Sequence, residues 1–90
     1  MEKLSGTIRV ECTPELKSEI KKNGVDGCFL VMDEIKNMKG VIDIWSTSDK
    51  ITDLVIEIVV DSYEAGKEIE SKIRTIDGVK NTSFLIEVEA

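Results

Sequence analysis

Two similar four-residue motifs divide the chain: Met38-Lys39-Gly40-Val41 and Ile76-Asp77-Gly78-Val79. In each motif a predicted amphipathic helix stops at a glycine, and a run of β-branched residues begins directly after it. Glycine is the residue that most readily ends a helix in the left-handed conformation. The two glycines are 38 residues apart, so the repeat spans almost half of the 90 residues. Two tandem β-α-β units are therefore predicted.

Hydrophobic periodicity supplies the elements around these glycines. Apolar and polar residues alternate over 7–12, which predicts the first strand. Further strands are predicted at 41–47, 51–60 and 79–88, with main helices at 28–38 and 63–76. An extra short helix is predicted after strand one, at 14–22. Its start is indicated by Thr13-Pro14 and its end by Asn23-Gly24. The order is that of the ferredoxin-like βαββαβ plait, an α+β fold whose four-stranded antiparallel sheet carries both helices on one face.

The second main helix carries its own start signal and charge pattern. Asp61 and Ser62 are expected to cap it, and Asp61 with Glu64 has the spacing of a capping box. Two i,i+4 ion pairs are expected on its solvent-exposed side: Glu68 with Lys72 and Glu70 with Arg74.

Composition and charge argue against several classes of function. The formal net charge is −6, from 12 basic and 18 acidic residues, which disfavours direct binding of nucleic acid or of an anionic membrane surface. No apolar run approaches the ~18 residues of a membrane span, and the first residues lack a signal-peptide pattern, so a cytoplasmic location is expected. The chain has no histidine, and Cys12 and Cys28 lack metal-ligand spacing. We predict no catalytic residues, no metal, no cofactor and two thiols buried in the core.

The predicted sheet has one face that no element of the sequence covers. Alternation assigns ten apolar residues to the side of the helices: Ile8, Val10, Ile42, Ile44, Leu54, Ile56, Ile58, Phe84, Ile86 and Val88. The apolar residues assigned to the opposite face are Val41, Trp45, Val55, Val59 and Leu85. A tryptophan among aliphatic residues on an open sheet is typical of a contact surface. We therefore predict self-association through this face, as a dimer or a larger homo-oligomer.

The same face carries charged residues. Arg9 is expected to take part in self-association and to pair with Glu57 or Glu87 on neighbouring strands. Five carboxylates are assigned to the face: Glu11, Asp43, Asp53, Glu57 and Glu87. Their spread over four strands does not match a compact ligand set, so we interpret them as solvated or ion-paired groups.

The second half of the chain has a recognisable pattern. Asp53-Leu54-Val55-Ile56-Glu57-Ile58 opens strand three with Asp-Leu, and Ile76-Asp77-Gly78-Val79-Lys80-Asn81-Thr82-Ser83 ends the helix in Gly-Val before a threonine-bearing strand. This pattern resembles the effector-binding (RAM-type) module of the Lrp/AsnC transcriptional regulators. The resemblance implies pairing of modules through their sheets, in a dimeric α/β-barrel-like assembly. It also implies binding of small amino acids at subunit interfaces, near the turn before strand three.

In this sequence that turn supplies the candidate ligand-binding residues, which are Ser48, Asp49, Lys50, Thr52 and Asp53. The family's glycine in this turn would fall near Lys50, and no helix-turn-helix precedes strand one. We therefore expect a stand-alone regulatory module, with a small amino acid or metabolite and a separate regulator as its expected partners.

Two other classes of function stay open. A NapD-like peptide-binding chaperone is also a plait and would hold a partner's signal segment on its sheet. An ACT-like module would need a glycine-containing turn after strand one, where this chain has Cys12-Thr13-Pro14. A dimeric α/β-barrel enzyme is disfavoured because such sites often use histidine, and we predict that the chain is not an enzyme.

Overall fold

Four antiparallel strands form one sheet in the order β2-β3-β1-β4. A computed structural model describes residues 3–13, 27–46 and 54–87, without the side chains of 27–30 and 87. The elements are β1 (Leu4–Cys12), α1 (Gly27–Lys36), β2 (Val41–Ser46), β3 (Leu54–Val60), α2 (Tyr63–Arg74) and β4 (Val79–Glu87). The predicted ferredoxin-like order is confirmed. The helix predicted at 14–22 lies outside the described residues, and so does the segment 47–53, which joins β2 to β3 and contains most of the turn predicted at 46–50.

Strand β1 begins at Leu4, three residues before the predicted start. Ser5 and Gly6 favour turns, so local propensity stops the prediction at Thr7. Pairing on both sides overrides that propensity, because Gly6 lies opposite Ile58 of β3 and Ile86 of β4. A Cβ added at Gly6 would lie 3.1 Å from the Leu85 carbonyl oxygen, so glycine allows a close approach of the strands.

The core lies between the sheet and both helices. Five sheet residues of the predicted helix-facing set have no exposed surface: Ile8, Val10, Leu54, Ile56 and Ile58. Helix α1 packs Val31 and Ile35 against them, and helix α2 packs Ile69 and Ile73. Cys12 is buried in the same core, as predicted, whereas the side chain of Cys28 is outside the described residues.

The two repeated motifs, 38–41 and 76–79, form matching turns. Gly40 and Gly78 have φ angles of +98° and +97°, which is the left-handed region that favours glycine. Equivalent hydrogen bonds close both turns, from Val41 N–H to the Met38 carbonyl and from Val79 N–H to the Ile76 carbonyl, each 3.2 Å. Each glycine carbonyl then accepts a hydrogen bond from a neighbouring segment. The donor for Gly40 is the Val59 N–H of β3 at 2.9 Å, and the donor for Gly78 is the N–H of Thr13, directly after β1, at 2.8 Å.

Helix α2 starts one residue later than the predicted capping box requires. Ser62 is the N-cap, and its hydroxyl accepts a hydrogen bond of 3.1 Å from the Ala65 N–H. Asp61 lies before the cap, so the prediction that it pairs with Glu64 in a capping box is wrong. A helix has a single N-cap position, and Ser62 fills it with extended backbone and a hydroxyl that reaches the Ala65 N–H.

Glu70 is buried, which corrects its assignment to the exposed side of α2. Glu70 is 4% exposed, and its carboxylate lies 3.5 Å from the Arg74 guanidinium. The predicted pair therefore exists, but its carboxylate is not on the surface. The Thr82 hydroxyl on β4 donates to Glu70 at 3.0 Å and accepts from Arg74 Nε at 2.6 Å. Lys67 Nζ lies 3.7 Å from the second carboxylate oxygen. These partners compensate for burial of the charge and attach α2 to β4.

Candidate functional site

The face of the sheet opposite the helices, here the helix-free face, holds the predicted self-association residues. Trp45 on the edge strand β2 is 42% exposed and lies directly opposite Val55 of β3. Leu85 on the other edge strand, β4, is 62% exposed. Val55 and Val59 on the inner strand β3 are half-buried. Apolar side chains at both edges therefore flank a partly apolar centre.

A β-bulge corrects the prediction for the start of β2. Val41 lies opposite Ile58, and Asp43 lies opposite Glu57, so one extra residue separates the two pairs. Val41 consequently packs against the core with Ile44, whereas Ile42 is 60% exposed. Strict alternation assigns these two residues the wrong way round, because a bulge shifts every preceding side chain by one position. Ile42 is thus an additional exposed apolar residue on edge strand β2.

Arg9 is exposed in the middle of the helix-free face. It lies opposite Val55 on β3 and Ser83 on β4. Glu57 lies opposite Thr7, two register positions from the Arg9–Val55 pair on the same face, and is a diagonal neighbour of Arg9. Glu87 lies opposite Ser5, four residues from Arg9, so the register does not support the alternative pairing with Glu87 within one protomer.

Two of the carboxylates predicted for this face have identified partners. Glu11 Oε1 lies 3.6 Å from Lys80 Nζ, at the irregularity between Glu11 and Cys12 in the β1–β4 register. Asp43 accepts a hydrogen bond of 2.8 Å from the Ile44 N–H. Among the residues that the structure describes, no three Cys, Asp or Glu side chains are grouped so as to hold a metal ion.

The predicted ligand-binding residues, Ser48, Asp49, Lys50, Thr52 and Asp53, lie outside the described residues. The structure does describe the strand ends that this turn joins, because Ser46 at the end of β2 is paired with Leu54 at the start of β3. Ligand binding at 48–53 therefore stays a prediction.

Sequence reasoning missed a groove at the other end of the sheet, where β1 and β2 begin and β3 ends. It has a volume of about 320 Å³, at the lower end of the range for small-molecule sites. Three lysines line it, namely Lys3, Lys39 and Lys72. They are 36 and 33 residues apart, counting 3 to 39 and 39 to 72, so no local motif could have indicated them.

In the described part of the chain, no helix is long and apolar enough to cross a bilayer.

Comparisons with known proteins identify the fold through solved structures, whereas no sequence comparison identifies a family. No protein-family model matches the chain, and no curated protein matches it. A solved structure from Thermus thermophilus has a TM-score of 0.74 at 15% identity, over 97% of this chain and 95% of that one. AsnC of E. coli has a TM-score of 0.70 at 16% identity, over 97% of this chain and 52% of that one.

A transcriptional regulator from Neisseria meningitidis, in complex with L-Met, has a TM-score of 0.70 at 11% identity. The match covers 96% of this chain and 50% of the regulator. The chain thus spans about half the length of the two regulators. At these identities the likeness is one of fold, and the chain has the ferredoxin-like fold of the Lrp/AsnC-type (RAM-type) domain.

Proposed function

We propose that the chain is a regulatory module that pairs with a second copy through the helix-free face and binds an amino acid or a similar effector at a subunit interface. The observation that carries the proposal is the distribution of side chains on that face. Exposed apolar residues stand at both edges, Trp45 on β2 and Leu85 on β4, and opposite charges stand on the two inner strands.

This distribution is self-complementary. A two-fold axis parallel to the strands would place β2 of one copy over β4 of the other, so each Trp45 edge would meet a Leu85 edge. The same axis would place β1 over β3, which brings Arg9 of each copy towards Glu57 of its partner. Both the apolar and the charged groups are therefore matched by one operation, as an isologous contact requires.

The effector part of the proposal rests on the turn at 47–53 and on the fold likeness. Sheet pairing would create clefts where this turn of one subunit meets its neighbour. Asp53 offers a carboxylate for an ammonium group, and Lys50 offers a cation for a carboxylate. A regulator of this fold in complex with L-Met supports the choice of an amino acid as the effector.

A thermal-shift screen of the amino acids tests the effector. A ligand at a hundred times its dissociation constant stabilises the folded state by ~2.7 kcal/mol, which corresponds to roughly 10–20 °C in a domain of this size. Asp53→Ala should abolish the shift. The matched control is Asp77→Ala, which removes an exposed carboxylate from the α2–β4 turn and should leave the shift unchanged.

If no amino acid raises the melting temperature, or if Asp53→Ala and Asp77→Ala behave alike, the effector site is wrong. Sedimentation velocity at micromolar concentration tests pairing separately. A monomer that captures a signal peptide on its sheet would instead favour the peptide-chaperone alternative.

A further inference from the structure

The groove lined by Lys3, Lys39 and Lys72, here the lysine groove, differs in charge from the rest of this acidic protein. Four other basic side chains in the described part of the chain form ion pairs: Lys36 with Asp33, Lys67 and Arg74 with Glu70, and Lys80 with Glu11. The three groove lysines form no ion pair with any described residue. Apart from Arg9 on the sheet, they are the unpaired cations of the described chain.

Three separate elements bring these lysines together. Lys3 directly precedes β1, whose first residue, Leu4, pairs with Val60 of β3. Lys39 lies in the turn between α1 and β2, and Lys72 lies on α2. Like charges repel at short range, so an anion that approaches two of these lysines would relieve part of that repulsion.

The walls between the lysines are apolar. Val59 and Val60 of β3 and Ala65 and Ile69 of α2 line the groove. Gly40 forms the adjoining wall, and a Cβ there would lie 3.0 Å from Ile69 Cδ1, so glycine keeps the turn tight against α2. An apolar wall beside convergent charges is the usual composition of a small-molecule site.

Two carboxylates also line the groove, those of Asp61 and Glu68. Glu68 does not form the predicted ion pair with Lys72, although both belong to the described residues and line the same groove. The lining side chains therefore carry three positive and two negative charges, a balance of +1. A monoanion would gain little from this balance. A dianion can approach two lysines at once, through two carboxylates or through the oxygens of one phosphate, and leave Asp61 and Glu68 to solvent.

We propose that the lysine groove binds a small organic dianion, a dicarboxylate or a phosphate monoester. The groove lies at the opposite end of the sheet from the turn at 47–53, since β2 runs from Val41 beside the groove to Ser46 at the turn. It is therefore a second site, independent of the proposed effector site.

Titration of the intact chain by NMR, with ¹⁵N-labelled protein at low ionic strength, tests this proposal. The probes are glutarate and glycerol 3-phosphate, with sodium chloride at matched ionic strength as the reference. We expect the largest amide shifts at Gly40, Ala65 and Ile69. Binding by glutarate alone identifies a dicarboxylate site and binding by glycerol 3-phosphate alone a phosphate site, and either result supports the dianion.

Charge-neutral variants assign the binding to the lysines. Lys72→Gln and Lys39→Gln should each raise the dissociation constant about 5- to 10-fold, the effect of losing one charge-assisted contact. Lys36→Gln, which removes an exposed cation from α1 outside the groove, should change it less than about twofold. All three positions are exposed, so unchanged melting temperatures without ligand should verify that the variants fold.

The proposal is overturned if neither probe shifts amides beyond the sodium chloride reference, if the largest shifts lie on the helix-free face, or if Lys36→Gln weakens binding as much as Lys72→Gln. Asp53→Ala should leave dianion binding unchanged. Loss of the amino-acid effect with retained glutarate binding would therefore count against the effector proposal alone.

Discussion

Replacing Trp45 with alanine should dissociate the proposed sheet-to-sheet dimer. The indole is 42% exposed in one protomer, and a tryptophan side chain offers up to ~250 Å², so pairing can bury about 100 Å² of it. At ~25 cal/mol per Å² that burial is worth about 2.5 kcal/mol for each copy and about 5 kcal/mol for each dimer. Because ~1.4 kcal/mol corresponds to a factor of ten, the dissociation constant should rise by roughly three to four orders of magnitude.

Trp45 is the only tryptophan in the chain, so it reports on its own burial. Dilution of the wild-type protein should move its fluorescence emission to longer wavelength as the dimer dissociates. Sedimentation velocity over the same concentrations should give the same midpoint for the wild type and a monomer for Trp45→Ala. Trp45→Glu should be at least as disruptive, because pairing would bury an uncompensated charge.

Tyr63→Ala is the matched control. Tyr63 is 50% exposed, but it lies at the start of α2 and packs edge-on against Phe84 with ring centroids 5.6 Å apart. Its truncation can lower stability without affecting pairing through the sheet. Equal dissociation of both variants, or a wild-type protein that is monomeric at micromolar concentration, would refute the proposed use of the helix-free face.

Gly78→Ala should lower the free energy of unfolding by about 1–2 kcal/mol in urea denaturation, because alanine is strained at φ +97°; Gly78→Asn should lose less. Thr82→Val should cost about 1 kcal/mol in the same assay, since its hydroxyl bonds both Glu70 and Arg74, and Thr82→Ser should retain most of the stability. Ile44→Ala should destabilise the monomer by roughly 1–3 kcal/mol and Ile42→Ala by less than about 0.5 kcal/mol, measured at a concentration too low for pairing; equal losses would contradict the bulge. Duplex DNA should not bind at micromolar protein in fluorescence anisotropy, given the net charge of −6, and binding that weakens steeply with salt would contradict this.

The order and type of the main elements followed from local signals in the sequence. Two glycines in the turns after the helices, two-residue alternation in the strands and i,i+4 patterns in the helices are properties of neighbouring residues, and they agree with one another. The same alternation placed Trp45, Val55, Val59 and Leu85 on the helix-free face, because the sheet is regular at those pairs.

Tertiary structure alone decided three other features. Pairing with β3 introduced the bulge that exposes Ile42 and packs the half-buried Val41 against the core, and nothing in the alternating sequence 41–45 marks it. Packing of α2 on β4 brought Thr82 to Glu70 across twelve positions and so buried a carboxylate that helix periodicity alone assigned to solvent. The lysine groove exists only because the starts of β1 and β2, the end of β3 and one side of α2 meet in space, since residues more than thirty positions apart have no local signature of contact.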